Sequence, residues 1–170
     1  MNLLKTPEPS ELTGKAAELL AMFPEQFGVP EPLRVLSASP GLLALKAHEI
    51  EYSRNHKTLG FPVLAAIRFL GARHWNAPAC IDFNRRLLMA AGLEAEQIDA
   101  LPEAGDAYTE PEAALLRFIA QTIAAPEGVT PAKLDALRSL GWADDVILDA
   151  LVHAANMQVT ALLMKALTRS

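Results

Sequence analysis

The sequence predicts an all-α protein, and three of its features lead to that prediction. Alanine and leucine dominate the chain, whereas the β-branched and aromatic residues that favour strands are few. No segment alternates apolar and polar residues with the two-residue period of a strand. Proline, glycine and capping residues divide the chain into segments of helical length. We therefore expect about seven or eight helices and no sheet.

Proline and glycine set the helix boundaries in the first half of the chain. Ser10 is a candidate N-cap for a helix that ends near Phe23 and Pro24. Asn76 is a candidate N-cap for a later helix, with Pro78 in its first turn. The other helices predicted in this half run from Pro30 to about Ser39, from Gly41 to Lys57, from Pro62 to Trp75 and from Pro78 to Ala91, before Gly92.

Capping residues mark the helices of the second half. Thr109 and Glu112 form a capping box, because each side chain can bond the backbone amide of the other residue. Thr130 precedes Pro131 and is a candidate N-cap of the following helix. The predicted helices run from Glu94 to Leu101, from Thr109 past Ile123, from Thr130 to Gly141 and from Ala143 to about Thr168.

The last predicted helix is apolar on every face between Val146 and Leu167, whereas a surface helix needs only one apolar stripe. Asp149 and His153 lie inside this stretch, so we do not interpret it as a membrane span. In a chain this small, we expect part of its surface to be covered by a second copy. The helix therefore predicts a homo-oligomer.

Composition narrows the range of partners and compartments. The net charge is −5, which offers no basic surface to nucleic acid. Cys80 is the only cysteine, so neither an internal disulfide nor a cysteine-rich zinc site can form. The N-terminal segment lacks the apolar core of a signal peptide, and together these features indicate a cytoplasmic protein. No cofactor motif or phosphate-binding loop is present, and we expect neither cofactor nor metal.

Cys80 is the first candidate for chemistry. Pro78 places it in the first or second turn of a helix, where backbone amides and the helix dipole favour a thiolate. Arg73, Arg85 and Arg86 are close in sequence and could add to this effect. These features predict a thiol pKa below the free value of about 8.5. The alternative is that Cys80 is a small buried apolar residue.

Two histidines suggest a metal site that their spacing does not support. His48, Tyr52 and His56 share one helix face, but His48 and His56 are separated by about 12 Å along the axis. That distance is too long for one ion, so we interpret the face as solvated.

The remaining polar residues lie on apolar segments. His74 ends the helix that precedes Cys80, and His153 lies inside the last helix. Each could pack in the interior or supply a catalytic base from another helix. Arg68 is the only charged residue between Phe61 and Ala72, and we expect it to pair with a buried acid rather than to extend to solvent or to face a pocket.

The middle of the chain carries a recognisable pattern. It reads Asn76-Ala-Pro-Ala-Cys80-Ile-Asp-Phe-Asn84, then Ala90-Ala-Gly-Leu-Glu-Ala-Glu-Gln-Ile98, and continues through Thr109–Leu116 and Gly141–Ile147. Over about two thirds of the chain this pattern resembles the alkylhydroperoxidase D / carboxymuconolactone decarboxylase family, in its peroxidase-related branch.

The resemblance implies one orthogonal multi-helix bundle over residues 1–170, with a helical extension at 1–40 and the family core at 41–170. It also implies a homo-oligomer, as a dimer, trimer or hexamer. For the peroxidase branch it implies an antioxidant, peroxiredoxin-type activity in which a thiol reduces organic hydroperoxides.

The family's peroxidase motif contains a glutamate, a Cys-x-x-Cys pair and a histidine. Cys80 matches the second cysteine, which attacks peroxide. Ala65, Ala77 and Asn84 stand where the family has the glutamate, the first cysteine and the histidine. Without a partner cysteine, an oxidised Cys80 would need an external thiol for its reduction.

Three functions are compatible with these residues. The first is a one-cysteine hydroperoxide reductase with Cys80 as nucleophile, Asn84 as hydrogen-bond partner, and His74 or His153 as base. The second is a catalytically degenerate homo-oligomer that binds a small apolar ligand. The third is lactone or carboxylate chemistry like that of carboxymuconolactone decarboxylase, which uses Arg68 and a histidine in place of a thiol.

Overall fold

A computed structural model describes residues 2–23 and 28–169 and confirms the all-α prediction. In these ranges the backbone forms nine α-helices and three short 3₁₀ turns, and the only β-type pairing is an isolated bridge between Asn2 and Thr168. The helices are α1 (Gly14–Ala21), α2 (Glu31–Leu36), α3 (Pro40–Arg54), α4 (Phe61–His74), α5 (Pro78–Ala90), α6 (Ala95–Asp99), α7 (Glu110–Ala124), α8 (Pro131–Ser139) and α9 (Asp144–Leu167).

The two caps predicted in the second half are present. The Thr109 amide donates to Glu112 Oε2 at 2.9 Å, which is one half of the capping box at the start of α7. Thr130 Oγ1 accepts from the Lys133 amide at 3.4 Å and caps α8. These local bonds start both helices where the sequence predicted.

The N-cap prediction for Ser10 is wrong. Ser10 lies in a 3₁₀ turn at Pro9–Glu11, and Thr13 is the N-cap of α1. Pro9 favours this earlier turn, so the α-helix starts only at Gly14. The predicted end at Pro24 lies outside the described residues.

Asn76 ends α4 instead of capping α5, and Ala77 is the N-cap of α5. Asn76 has a φ of 51°, in the left-handed region that asparagine tolerates better than most residues. Its amide bonds the Arg73 carbonyl at 3.2 Å, and the Ala77 amide bonds the Ala72 carbonyl at 2.9 Å. This Schellman ending lets α5 begin immediately after α4.

The chain forms two compact units. The first comprises Met1–Lys57 and Thr160–Ser170, and the second comprises Thr58–Val159. In the first unit, α3 buries Leu43 and Ala47 in the same apolar cluster as Leu19 of α1. The extension expected at residues 1–40 and the core expected at 41–170 stay predictions. That the whole chain forms one domain stays a prediction.

The second unit is organised around α4. Nine of its 14 residues are buried, as the nearly uniform apolar sequence predicted. The surrounding cluster includes Leu88 of α5, with Leu115 and Ile119 of α7, each 0% exposed. The helix that precedes Cys80 is therefore the centre of this unit's core.

Helices α4 and α9 approach each other closely at Gly71. A Cβ atom added there would lie 3.1 Å from the Cα and the carbonyl carbon of Ala154, and closer still to the Ala154 oxygen. Only a residue without a side chain permits this backbone contact. By length and composition alone, α9 could also cross a membrane, a property it shares with core helices of soluble proteins.

The contact at Gly71 predicts that Gly71→Ala destabilises the protein. Alanine in a helix is normally more stable than glycine by about 1 kcal/mol, but here the added methyl group meets rigid backbone. We expect the free energy of unfolding, measured by urea titration, to fall by about 1–3 kcal/mol.

Gly41→Ala is the matched control, because Gly41 is also helical and a Cβ atom added there would have no atom within 4 Å. We expect it to leave the free energy of unfolding unchanged or slightly raised. A stabilising effect of Gly71→Ala would contradict the observed contact.

Candidate functional site around Cys80

Cys80 is the third residue of α5, in the first turn, as the sequence predicted. Its side chain is buried, with the residue 7% exposed. Its amide already donates to the Ala77 carbonyl at 3.0 Å. The amide of Cys80 is therefore engaged with its own helix and is not a free donor for an anion.

The predicted low pKa of Cys80 is wrong. Burial raises the pKa of the Cys80 thiol to about 11, because the charged thiolate loses solvation in the interior. The three nearby arginines are engaged elsewhere: Arg85 pairs with Asp99, Arg73 donates to the Asp99 carbonyl at 3.1 Å, and Arg86 lies over the Phe83 ring. The thiol of the folded protein is therefore neutral at pH 7.

Asn84 lies one turn after Cys80 and is buried, with 3% of the residue exposed. Its Nδ2 donates to the Cys80 carbonyl oxygen at 2.8 Å, and its Oδ1 accepts from Arg68 Nε at 3.2 Å. The two partners define the orientation of the amide, since only the oxygen can face a guanidinium. Asn84 thus bonds the backbone of Cys80 and links α5 to α4.

Arg68 is half-buried on α4. Its Nε donates to the amide oxygen of Asn84, and that Arg68 also pairs with a buried acid stays a prediction. Sequence reasoning singled out Arg68 and Asn84 separately but missed the bond between them. The sequence shows one polar residue on each of two consecutive helices, which is compatible with a bond between them. Only the packing of α4 against α5 shows that Arg68 and Asn84 lie at the same level.

The remaining positions of the peroxidase motif hold small core residues. Ala65 is 0% exposed and Ala77 is 3% exposed. A methyl group can neither transfer a proton nor form a disulfide. These positions therefore contribute packing to the site and no chemistry.

The two candidate histidines occupy different environments. His74 is exposed at the end of α4, with its ring edge-on to Trp75 at a centroid distance of 4.4 Å. His153 is buried on α9, next to the Ala154 that meets Gly71. The described hydrogen bonds thus bring Cys80, Asn84 and Arg68 together, and His74 lies at the surface.

Within the described ranges, no three His, Cys, Asp or Glu residues are grouped as metal ligands. His48 is exposed and its Nδ1 is 3.9 Å from Glu51 Oε2. His56 contacts the Tyr52 ring edge-on. Because α3 ends at Arg54, the helix end predicted at Lys57 is wrong, and His56 lies beyond the helix that carries His48.

Comparisons with known proteins identify the fold. No family model matches the chain, and no curated protein matches it. Among solved structures, the crystal structure of an alkylhydroperoxidase AhpD core, an uncharacterized peroxidase-related protein from Ralstonia eutropha JMP134, matches with a TM-score of 0.79. The match covers 98% of this chain and 90% of that one at 18% identity. The chain therefore has the alkylhydroperoxidase D-like fold, as the sequence resemblance implied.

The neutral thiol predicts a pH dependence of stability. The folded chain keeps the Cys80 proton up to a pKa of about 11, whereas the unfolded chain loses it near the ordinary value of 9.0. The neutral thiol therefore stabilises the folded chain relative to the unfolded chain below about pH 9, and this stabilisation is lost as the pH rises towards 11.

Cys80→Ala removes this contribution, so the stability difference between wild type and variant should depend on pH. Between about pH 8 and pH 11 we expect the wild type to lose on the order of 2 kcal/mol of stability relative to the variant. Tyr108, whose pKa burial raises to about 12, is common to both proteins and cancels. Urea titrations at several pH values measure the difference, and a constant difference would contradict the raised pKa.

Proposed function

We propose that this chain is a catalytically degenerate protein of the alkylhydroperoxidase D-like fold, which binds a small ligand as a homo-oligomer instead of reducing hydroperoxides. The observation that carries the proposal is the buried, neutral Cys80, beside which the family's proton-transferring positions hold Ala65 and Asn84. Two further observations support the proposal. The position of the first cysteine of the motif holds Ala77, and the chain keeps the fold together with a buried Cys80.

Peroxide reduction by a cysteine requires a thiolate. Burial raises the pKa of the Cys80 thiol to about 11, so the thiol of the folded protein is almost entirely protonated at pH 7. Asn84 cannot replace the family's histidine as a proton carrier, because its amide does not titrate and both ends of it are hydrogen-bonded. The arrangement suits a structural role for this residue.

A one-cysteine hydroperoxide reductase is the second candidate. One observation favours it: Cys80 stands in the first turn of α5, at the position of the family's attacking cysteine. Such an enzyme would need an opening of the structure around Cys80 and an external thiol as reductant. Thiol-independent lactone or carboxylate chemistry with Arg68 and a histidine stays a prediction from the sequence.

A thiol titration separates the two candidates. We expect the native protein to leave Cys80 unmodified by an aromatic disulfide reagent at pH 7, and one thiol per chain to react after unfolding. Cumene hydroperoxide with dithiothreitol should be consumed no faster by wild type than by Cys80→Ser. Turnover that depends on Cys80 would establish the reductase instead.

We also propose that copies of the chain associate through α9. Its exposed apolar residues support this, because large apolar side chains that recur along one helix mark an interaction surface. Those more than 40% exposed are Leu148, Val152, Val159 and Leu162.

A further inference from the structure

The exposed apolar residues of α9 form one line along the helix. Leu148 is 60% exposed, Val152 46%, Val159 57% and Leu162 66%. The exposed alanines at 155 and 166 complete the series, so that consecutive members are separated by alternating steps of four and three residues. This is the spacing of the a and d positions of a coiled coil. We name the line the α9 seam: Leu148, Val152, Ala155, Val159, Leu162 and Ala166.

The two ends of the seam carry opposite charge. Three residues before Leu148, at the N-terminal end of the seam, lies the exposed Asp145, next to Asp144. Beyond the other end stands Arg169, whose Nη1 donates to the carbonyls of Lys165 and Ala166 and so lies at the C-terminal end of α9. A parallel pair of these helices would place Asp145 beside its own copy, whereas an antiparallel pair places it beside Arg169.

The sizes of the seam residues fit the same antiparallel register. When Leu148 lies level with Ala166 of a second copy, Ala155 is level with Val159 of that copy, and Asp145 lies near the end of α9 that carries Arg169. Val152 then meets Leu162. Large side chains thus face small ones in two of the layers, whereas a parallel pair would set Ala155 against its own copy and leave a gap.

We propose that two copies of this chain associate through an antiparallel pair of α9 helices, with Val152 of each copy against Leu162 of the other. The inference rests on the self-association proposed above and specifies its geometry. It predicts which residues of the two copies are close enough for a covalent bond.

Disulfide crosslinking tests the register in a Cys80→Ala background, where the introduced cysteines are the only thiols. Val152 and its own copy would be about 15 Å apart along an antiparallel pair, since ten residues separate Val152 from Leu162. A disulfide needs Cα atoms within about 7 Å. Co-expressed Val152→Cys and Leu162→Cys chains should therefore form a mixed dimer on oxidation, and Val152→Cys alone should form none.

Sedimentation of the unmodified protein distinguishes failure of this inference from failure of self-association. We expect a species larger than the 18.3 kDa chain at micromolar concentration, and a loss of association in Leu162→Glu. Leu45→Glu is the matched control, because Leu45 on α3 is 67% exposed and lies outside the seam. An 18.3 kDa species for wild type would overturn both proposals, whereas an oligomer in which Val152→Cys crosslinks to itself would overturn only the antiparallel register.

Discussion

At Gly71 the backbone of α4 meets the backbone of α9, and the second unit depends on this contact. A side chain at Gly71 would collide with the carbonyl group of Ala154, so the two helices can approach only because glycine has none. The contact buries the apolar residues of α4 and keeps Ala150 and Ala154 of α9 fully enclosed. The helix that carries Arg68 and leads into Cys80 is therefore held at the centre of a packed core.

The position of Cys80 in this core explains why its chemistry differs from the expectation. A helix N-terminus favours a thiolate only where its amides and nearby cations can reach the sulfur. Here the amide of Cys80 bonds within its own helix, and the arginines nearby bind Asp99 or lie over aromatic rings. Loss of solvation is then the remaining effect, and it favours the neutral thiol.

The bonds from Arg68 to Asn84 and from Asn84 to the Cys80 carbonyl join α4 to the first turn of α5. A buried polar group is costly unless it is hydrogen-bonded, and the amide of Asn84 has a partner at both its oxygen and its nitrogen. The same bonds engage both ends of the Asn84 side-chain amide, so this amide is not free to bond a reacting group. Around Cys80 the described contacts are therefore packing contacts and hydrogen bonds that join two helices.

The sequence by itself determined the helical class, the starts of α7 and α8 and the location of Cys80 near the start of its helix. These properties are local: they depend on proline, glycine, capping side chains and apolar periodicity within a few residues. The role of Asn76 was misjudged because an N-cap and a left-handed C-terminal residue have similar sequence preferences. Only the tertiary structure decided the ionisation of Cys80, the partner of Arg68 and the exposed face of α9. Each of these depends on which residues distant in sequence exclude water from a group, and no local pattern reports that.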